Sequence, residues 1–207
     1  MKLVISSSEL LKGILTVSKA IPAKSTEAIL EDYLFVLEGD KLEVTASDKE
    51  ITMKTVITVD CTEEEGRFAV PARQLNDLLK ELPDQPITIS TISENQFKCA
   101  WASGESTLPY FNPDDYPESQ TTGDDANVVE FPGQSLADGI GRTLYASSDE
   151  ENRPVMNSIF FDINPDSTTL VASDLQKLTC YTADDVKAEN PCSFILNKRH
   201  AAVIKSI

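Results

Sequence analysis

Eight cations, Lys12, Lys19, Arg73, Lys80, Arg142, Lys198, Arg199 and Lys205, fall in segments whose apolar spacing predicts helices over 8–21, 71–82, 133–146 and 198–207. The same segments hold four acids, Glu9, Asp77, Glu81 and Asp138, so the helices sum to +4. The other ten basic and thirty acidic residues leave −20 on everything else, within a formal net charge of −16. That total argues against a polyanionic partner, but a polyanion responds to the local distribution of charge. Cationic stripes on helix faces attract a phosphate backbone. Base reading is not expected, because the stripes are mostly lysine and no aromatic alternates with them to stack on an unpaired base. Attraction without sequence readout is the chemistry these residues offer.

Other chemistries lack their parts. Cys61, Cys99, Cys180 and Cys192 stand 38, 81 and 12 residues apart, so no Cys-x-x-Cys zinc spacing exists, and His200 is the single histidine. No metal, no cofactor and no catalytic residue is therefore expected, and the thiols read as free and buried in a reducing compartment. A hydrolase would have to work with carboxylates alone, and no convergent pair stands out. No apolar run approaches the ~18 residues that a membrane span needs, and the start lacks a secretory segment, so a cytoplasmic address and no membrane partner are expected.

The elements that position the cations come from a repeat. Val-Thr-Ala-Ser-Asp (44–48) returns as Leu-Val-Ala-Ser-Asp (170–174), and the offset of 126 holds along the chain. Leu10, Ile14, Val17 and Ile21 form one helical stripe capped by Ser7 or Ser8, and Leu10 and Ile14 map to Leu136 and Ile140. Residues 33–46 read as a hairpin around Gly39-Asp40, matched by 159–172. Arg67–Val70 reads as a strand running into a helix with Pro71 in its first turn and Leu75, Leu78, Leu79 and Leu82 buried. Phe68, Val70 and Arg73 map to Phe194, Leu196 and Arg199, whereas Lys205 falls on the buried Leu79 position. Asp48 and Asp174 are expected to close equivalent turns. Between the copies lies an apolar-poor linker, giving domains 1–118 and 128–207 joined by 119–127. The first copy continues through strands at 86–92, 95–102 and 106–108, and the second stops short of them. A truncated chain or gene fragment is expected, its second sheet ending in an unpaired edge.

Several short pieces, in order and spacing, resemble the bacterial DNA polymerase III beta subunit, the sliding clamp. They are Leu-Leu-Lys at 10–12, Val-Pro-Ala-Arg at 70–73, Ser-Thr-Leu-Pro to Asp-Tyr-Pro between 106 and 117, Arg-Pro-Val-Met-Asn-Ser at 153–158 and Ala-Ser-Asp at 172–174. The resemblance covers the whole chain, as the first module and most of the second. It implies an α+β DNA-clamp (processivity) fold of repeated modules, each with two helices packed on antiparallel sheets. The implied function is a homodimeric ring around duplex DNA that tethers the replicative polymerase without catalysis of its own, and a partial chain would be unable to close that ring. By position, Lys24, Arg73, Lys198 and Arg199 match family residues that approach DNA. Met156, Ser173, Leu175, Lys177 and Leu178 match a cleft that takes linear peptides from polymerases, the clamp loader and repair proteins. Where the family pattern has Gly-His-Arg-Leu after the aspartate, this chain has Leu175-Gln176-Lys177-Leu178, so the pocket's shape is altered. The rest of that cleft should come from residues past 207, so peptide binding by these residues alone is expected to be weak or absent. The alternative is a repeated α+β protein-binding scaffold with no DNA role, which requires the cations to point in divergent directions.

Overall fold

The computed structural model describes residues 1–22, 25–118, 128–150, 152–188 and 190–207. They fall in two compact units, Met1–Gln120 and Thr121–Ile207. The expected linker, 119–127, lies outside the described residues.

In the first unit β1 (Lys2–Ser6) runs directly into α1 (Ser7–Val17), which a 3-10 turn, Ser18–Ala20, extends. The strands β2 (Asp32–Glu38) and β3 (Lys41–Ser47) form the expected hairpin, and Gly39 supplies the φ of +58° its turn needs. There follow β4 (Thr52–Thr58), β5 (Cys61–Glu64), β6 (Gly66–Pro71), α2 (Ala72–Glu81), β7 (Pro86–Ser93), β8 (Gln96–Trp101) and β9 (Gly104–Pro109). All pairings are antiparallel, in one sheet ordered β4-β3-β2-β6 and another ordered β5-β1-β7-β8-β9. Both sheets and both helices share one core. Phe68 of the first sheet meets Phe35 at 5.6 Å and Phe97 of the second sheet at 5.4 Å.

The second unit repeats the first sheet and its helices. It holds α3 (Gly133–Thr143) with a 3-10 extension Leu144–Ala146, β10 (Ser158–Ile163), β11 (Thr168–Ser173), β12 (Leu178–Ala183), β13 (Cys192–Asn197) and α4 (Lys198–Lys205). The sheet order β12-β11-β10-β13 is the order β4-β3-β2-β6 shifted by 126 residues. The register shifts with it: Phe35 faces Phe68 across β2 and β6, and Phe161 faces Phe194 across β10 and β13. Among the described residues this unit has one sheet. Residues 128–132, the counterparts of β1, are not a strand, and Val128 is exposed. A strand exists only where neighbours take its backbone bonds, and β1 has β5 and β7 to do so.

Some expectations need correction. The cap of α1 is Ser6, whose Oγ accepts the Glu9 N–H, rather than Ser7 or Ser8; Ser7 is buried and bonds Pro83 O instead. The first α-helix ends four residues and the third three residues before the expected limit because the last turn tightens to 3-10, and α4 stops at Lys205. Pro71 is the cap residue before α2 rather than part of its first turn. In α2, Leu75 and Leu79 are buried, while Leu78 and Leu82 pack only partly. Of the thiols only Cys99 is buried: Cys61 and Cys180 are exposed and Cys192 is intermediate. The first two lie on strands at a sheet edge, where one face is open to water.

Glycines inside two of the helices have a packing role. Gly13 in α1 and Gly139 in α3 occupy the same repeat position, where helix meets sheet. A Cβ at Gly13 would lie 2.3 Å from Ile57 Cδ1, and one at Gly139 3.0 Å from Leu170 Cδ2.

Candidate functional site

Burial decides which helix faces are available. In α1, Leu10, Ile14 and Val17 are buried, which leaves Lys12 exposed; Lys19 is exposed in the 3-10 turn. In α2, Ala72, Leu75 and Leu79 are buried, and Arg73, Asp77 and Lys80 are exposed. The two helices contact one another as well as the sheets, so Lys12, Lys19, Arg73 and Lys80 stand on one packed helix pair.

The second unit places Arg142, Lys198, Arg199 and Lys205 on the equivalent pair, α3 and α4, with more internal engagement. The Arg142 guanidinium stacks over the Tyr181 ring, 5.4 Å from its centroid. Lys198 is partly withdrawn: its Nζ donates to Asp149 Oδ1 at 2.6 Å and to Ser147 O at 3.3 Å. That bond, with the ammonium charge, holds the Asp149 carboxyl below its usual range. Arg199, the next residue, is exposed, and its N–H donates to Asn197 Oδ1, the helix cap. Lys205 resolves its ambiguous facing by lying along α3. A Cβ at Gly141 would come within 3.2 Å of its Cε, so its stem packs where Leu79 packs in the first unit while the residue stays exposed. Lys24 lies outside the described residues.

The candidate peptide residues gather around the turn after β11. Asp174 Oδ1 accepts the N–H groups of Gln176 and Lys177 at 3.0 and 2.9 Å, as Asp48 Oδ1 accepts those of Glu50 and Ile51 at 2.9 and 2.6 Å. The Lys177 ammonium, 2.7 Å from Asp174 Oδ2, holds that carboxyl down to about 2. Ser173 Oγ donates to Lys177 O and accepts the Leu175 N–H. Leu175 and Leu178, each 69% exposed, project from this turn and from the start of β12.

Met156, half-buried, sits in a loop tied back to the same region. Its carbonyl accepts the Ser148 N–H at 2.8 Å, next to Asp149, whose carboxyl also feels the Lys177 charge. Asn157 is buried and knots three segments together: Nδ2 donates to Ser148 O, Oδ1 accepts Asn197 Nδ2, and the carbonyl accepts the Lys198 N–H. Tyr145 adds a further tie, accepting Thr179 Oγ1 at 2.8 Å. Asn157, Tyr145 and the exposed Val155 escaped sequence reading. Asn157 and Val155 lie inside the 153–158 motif, which was the available signal; Tyr145 had none.

Among the described residues no cluster of three or more His, Cys, Asp or Glu side chains could hold a metal ion. No described helix is long and apolar enough to cross a membrane.

The family model for the DNA polymerase III beta subunit, N-terminal domain, matches residues 1–120. The beta sliding clamp of Halalkalibacterium halodurans is 29% identical over 187 residues, covering 86% of this chain and 48% of that protein. The sliding clamp (DNA polymerase III subunit beta) of Pseudomonas aeruginosa bound to griselimycin matches with a TM-score of 0.91 at 24% identity, over 100% of this chain and 56% of that one. The Helicobacter pylori beta clamp bound to a DNA ligase peptide matches with a TM-score of 0.89 at 20% identity, over 100% and 59%. At these identities the two structures speak for the fold. The chain spans about half the length of the curated relatives it matches.

Proposed function

This chain belongs to the DNA polymerase III beta subunit family, and on that premise we propose that it serves as part of a sliding clamp, a ring that encircles duplex DNA and tethers the replicative polymerase. The observation that carries the reading is the duplicated helix pair: two units that share one four-stranded sheet order each turn a cationic helix face away from that sheet, in a chain of net charge −16. A ring holds DNA by topology, so its inner face needs only weak attraction to phosphates. Base contacts would stall sliding, and lysine point charges on exposed stems avoid them. Lys12, Lys19, Lys24, Arg73, Lys80, Arg142, Arg199 and Lys205 would supply this attraction, with Lys198 contributing once its bond to Asp149 opens. The protein acts as a tether and performs no chemistry, in the cytoplasm where the chromosome is copied.

Met156, Ser173, Leu175, Lys177 and Leu178 would form one side of a cleft for linear peptides of the polymerase and the clamp loader, offering exposed apolar anchors beside a cation. A DNA ligase peptide on a relative of the same fold supports this reading. The whole protein is expected to close a homodimeric ring, and these 207 residues alone to stay open. The division into domains 1–118 and 128–207, joined by 119–127, is part of the same proposal.

The test is duplex binding by fluorescence anisotropy at low salt, with Lys12, Lys19, Arg73 and Lys80 replaced together by glutamine. Loss of ~10-fold or more in affinity, a shallower salt dependence and indifference to sequence are expected. Unchanged binding would count against the helix face, and a peptide-only response would favour a scaffold without a DNA role.

A further inference from the structure

Asn157, 7% exposed, uses both ends of its side-chain amide in the interior. Its Nδ2 donates to Ser148 O at 2.9 Å, and its Oδ1 accepts from Asn197 Nδ2 at 3.0 Å. The Ser148 N–H in turn donates to Met156 O at 2.8 Å, and Asn197 Oδ1 accepts the Arg199 N–H at 2.8 Å. One chain of amides therefore runs from Met156, a candidate peptide residue, through Ser148, Asn157 and Asn197 into the first turn of α4, where Lys198 and Arg199 stand. The Asn157 carbonyl closes it by accepting the Lys198 N–H at 3.0 Å.

The fold does not require this chain of bonds. At the repeat offset of 126, Asn157 corresponds to Glu31, which is exposed, and Asn197 to Pro71, which caps α2 with no side-chain bond. The first unit thus makes the same strand-to-helix junction without either amide. The same offset turns Met156 into the buried Leu30 and Lys198 into the buried Ala72. The amides occur in the unit where those two side chains reach toward the surface.

A second, ionic tie joins the same places, since Lys198 Nζ donates to Asp149 Oδ1 at 2.6 Å and to Ser147 O at 3.3 Å. The Asp149 side chain is 92% exposed, so water and salt weaken that tie, whereas the buried amide bonds are shielded from both.

We propose that Asn157 is a positioning residue that couples the two candidate sites of the second unit: a phosphate taken up at the first turn of α4 is felt at Met156, and a peptide that fixes Met156 sets the posture of Lys198 and Arg199. The bistable element is Lys198, which holds Asp149 in one state and a phosphate in the other. When its ammonium leaves Asp149 and Ser147, the amide chain is the remaining side-chain tie between α4 and Ser148, and it carries movement of the helix end to the Met156 carbonyl. Coupling of this kind is reciprocal. It presupposes the duplex reading of the helix face, which the same experiment tests separately.

Backbone amide shifts of the 207-residue chain, followed as a short duplex is added at low salt, are the readout. In the unaltered chain the Ser148 and Met156 amides are expected to shift with the same midpoint as those of Lys198 and Arg199. Asn197→Ser keeps a helix cap and removes the amide donor to Asn157. In that variant the Ser148 and Met156 shifts should fall by about half or more while Arg199 still responds. Asp149→Asn removes the ionic tie alone and should leave the Met156 response in place. A purely structural Asn157 would change the resting spectrum and the stability of Asn197→Ser without changing the ratio of the Met156 response to the Arg199 response. An undiminished Met156 response in Asn197→Ser, its loss in Asp149→Asn, or silence at Met156 beside a full response on α4 overturns the coupling. Absence of shifts on every helix overturns the duplex reading, and the coupling with it.

Discussion

Lys49 and Leu175 hold the same left-handed backbone, φ 76° and 75°, at the same position of the two repeated units. Each follows an aspartate whose Oδ1 binds two N–H groups of its turn, Asp48 in one unit and Asp174 in the other. The turn dictates the conformation, and the side chain bears its cost.

Leu175 therefore carries strain of about 1–2 kcal/mol that glycine would not, and exposes an apolar side chain as well. Leu175→Gly is expected to stabilise the second unit by ~0.5–1 kcal/mol after glycine's extra unfolded-state entropy is subtracted. Denaturant unfolding followed by a probe in that unit checks the sign. A destabilised variant would mean that the leucine side chain makes contacts worth more than the strain.

Gly13 is fixed by packing rather than by φ. Gly13→Ala puts a methyl 2.3 Å from Ile57 Cδ1 and 2.8 Å from its Cγ1, so helix and sheet must separate or Ile57 must move. The helix-propensity gain of about 1 kcal/mol is smaller than the overpacking cost of ~1–3 kcal/mol. A lower thermal midpoint for Gly13→Ala is expected, with Ile57→Ala in the same chain recovering part of the loss relative to Ile57→Ala alone.

Asp32 supplies a pH dependence of definite sign. It is buried at the start of β2 near Glu31 and Tyr116, and desolvation first, then the Glu31 charge, raise its pKa from 3.8 to about 7. Between those values the folded chain holds a proton that the unfolded chain has lost, so stability falls as pH rises from about 4 to 7 and levels off above. Asp32→Asn removes this cost, on the order of 2–4 kcal/mol at pH 8, and little changes at pH 4. Thermal melts of both proteins at the two pH values measure the difference. A constant offset between them would show that Asp32 ionises normally.

Much of the fold was legible in the sequence because the repeat constrains it twice. Phe35 and Phe161, Phe68 and Phe194, and Asp48 and Asp174 are spaced alike, and each pair has a common place in its unit. The strands β4 and β5 were not legible: both lie at sheet edges with one side in water, so threonine, lysine and glutamate interrupt the apolar pattern. In the candidate site, the cations of α1 and α2 could be read from helical spacing, since only local geometry decides which face is exposed. The Lys198–Asp149 pair could not, being set by a loop 49 residues away. Nor could Tyr145 or the Asn157 knot, whose partners are distant in sequence and close only through the sheet.

The helix pairs, and not the acidic sheets, are expected to meet duplex DNA. Backbone amide shifts of the 207-residue chain, recorded while a short duplex is added at low salt, test it most directly. Shifts along α1, α2, α3 and α4 that fade together as salt rises and do not depend on base sequence are expected. Shifts confined to the sheet faces, or the same helix shifts with a neutral polymer in place of DNA, would contradict it.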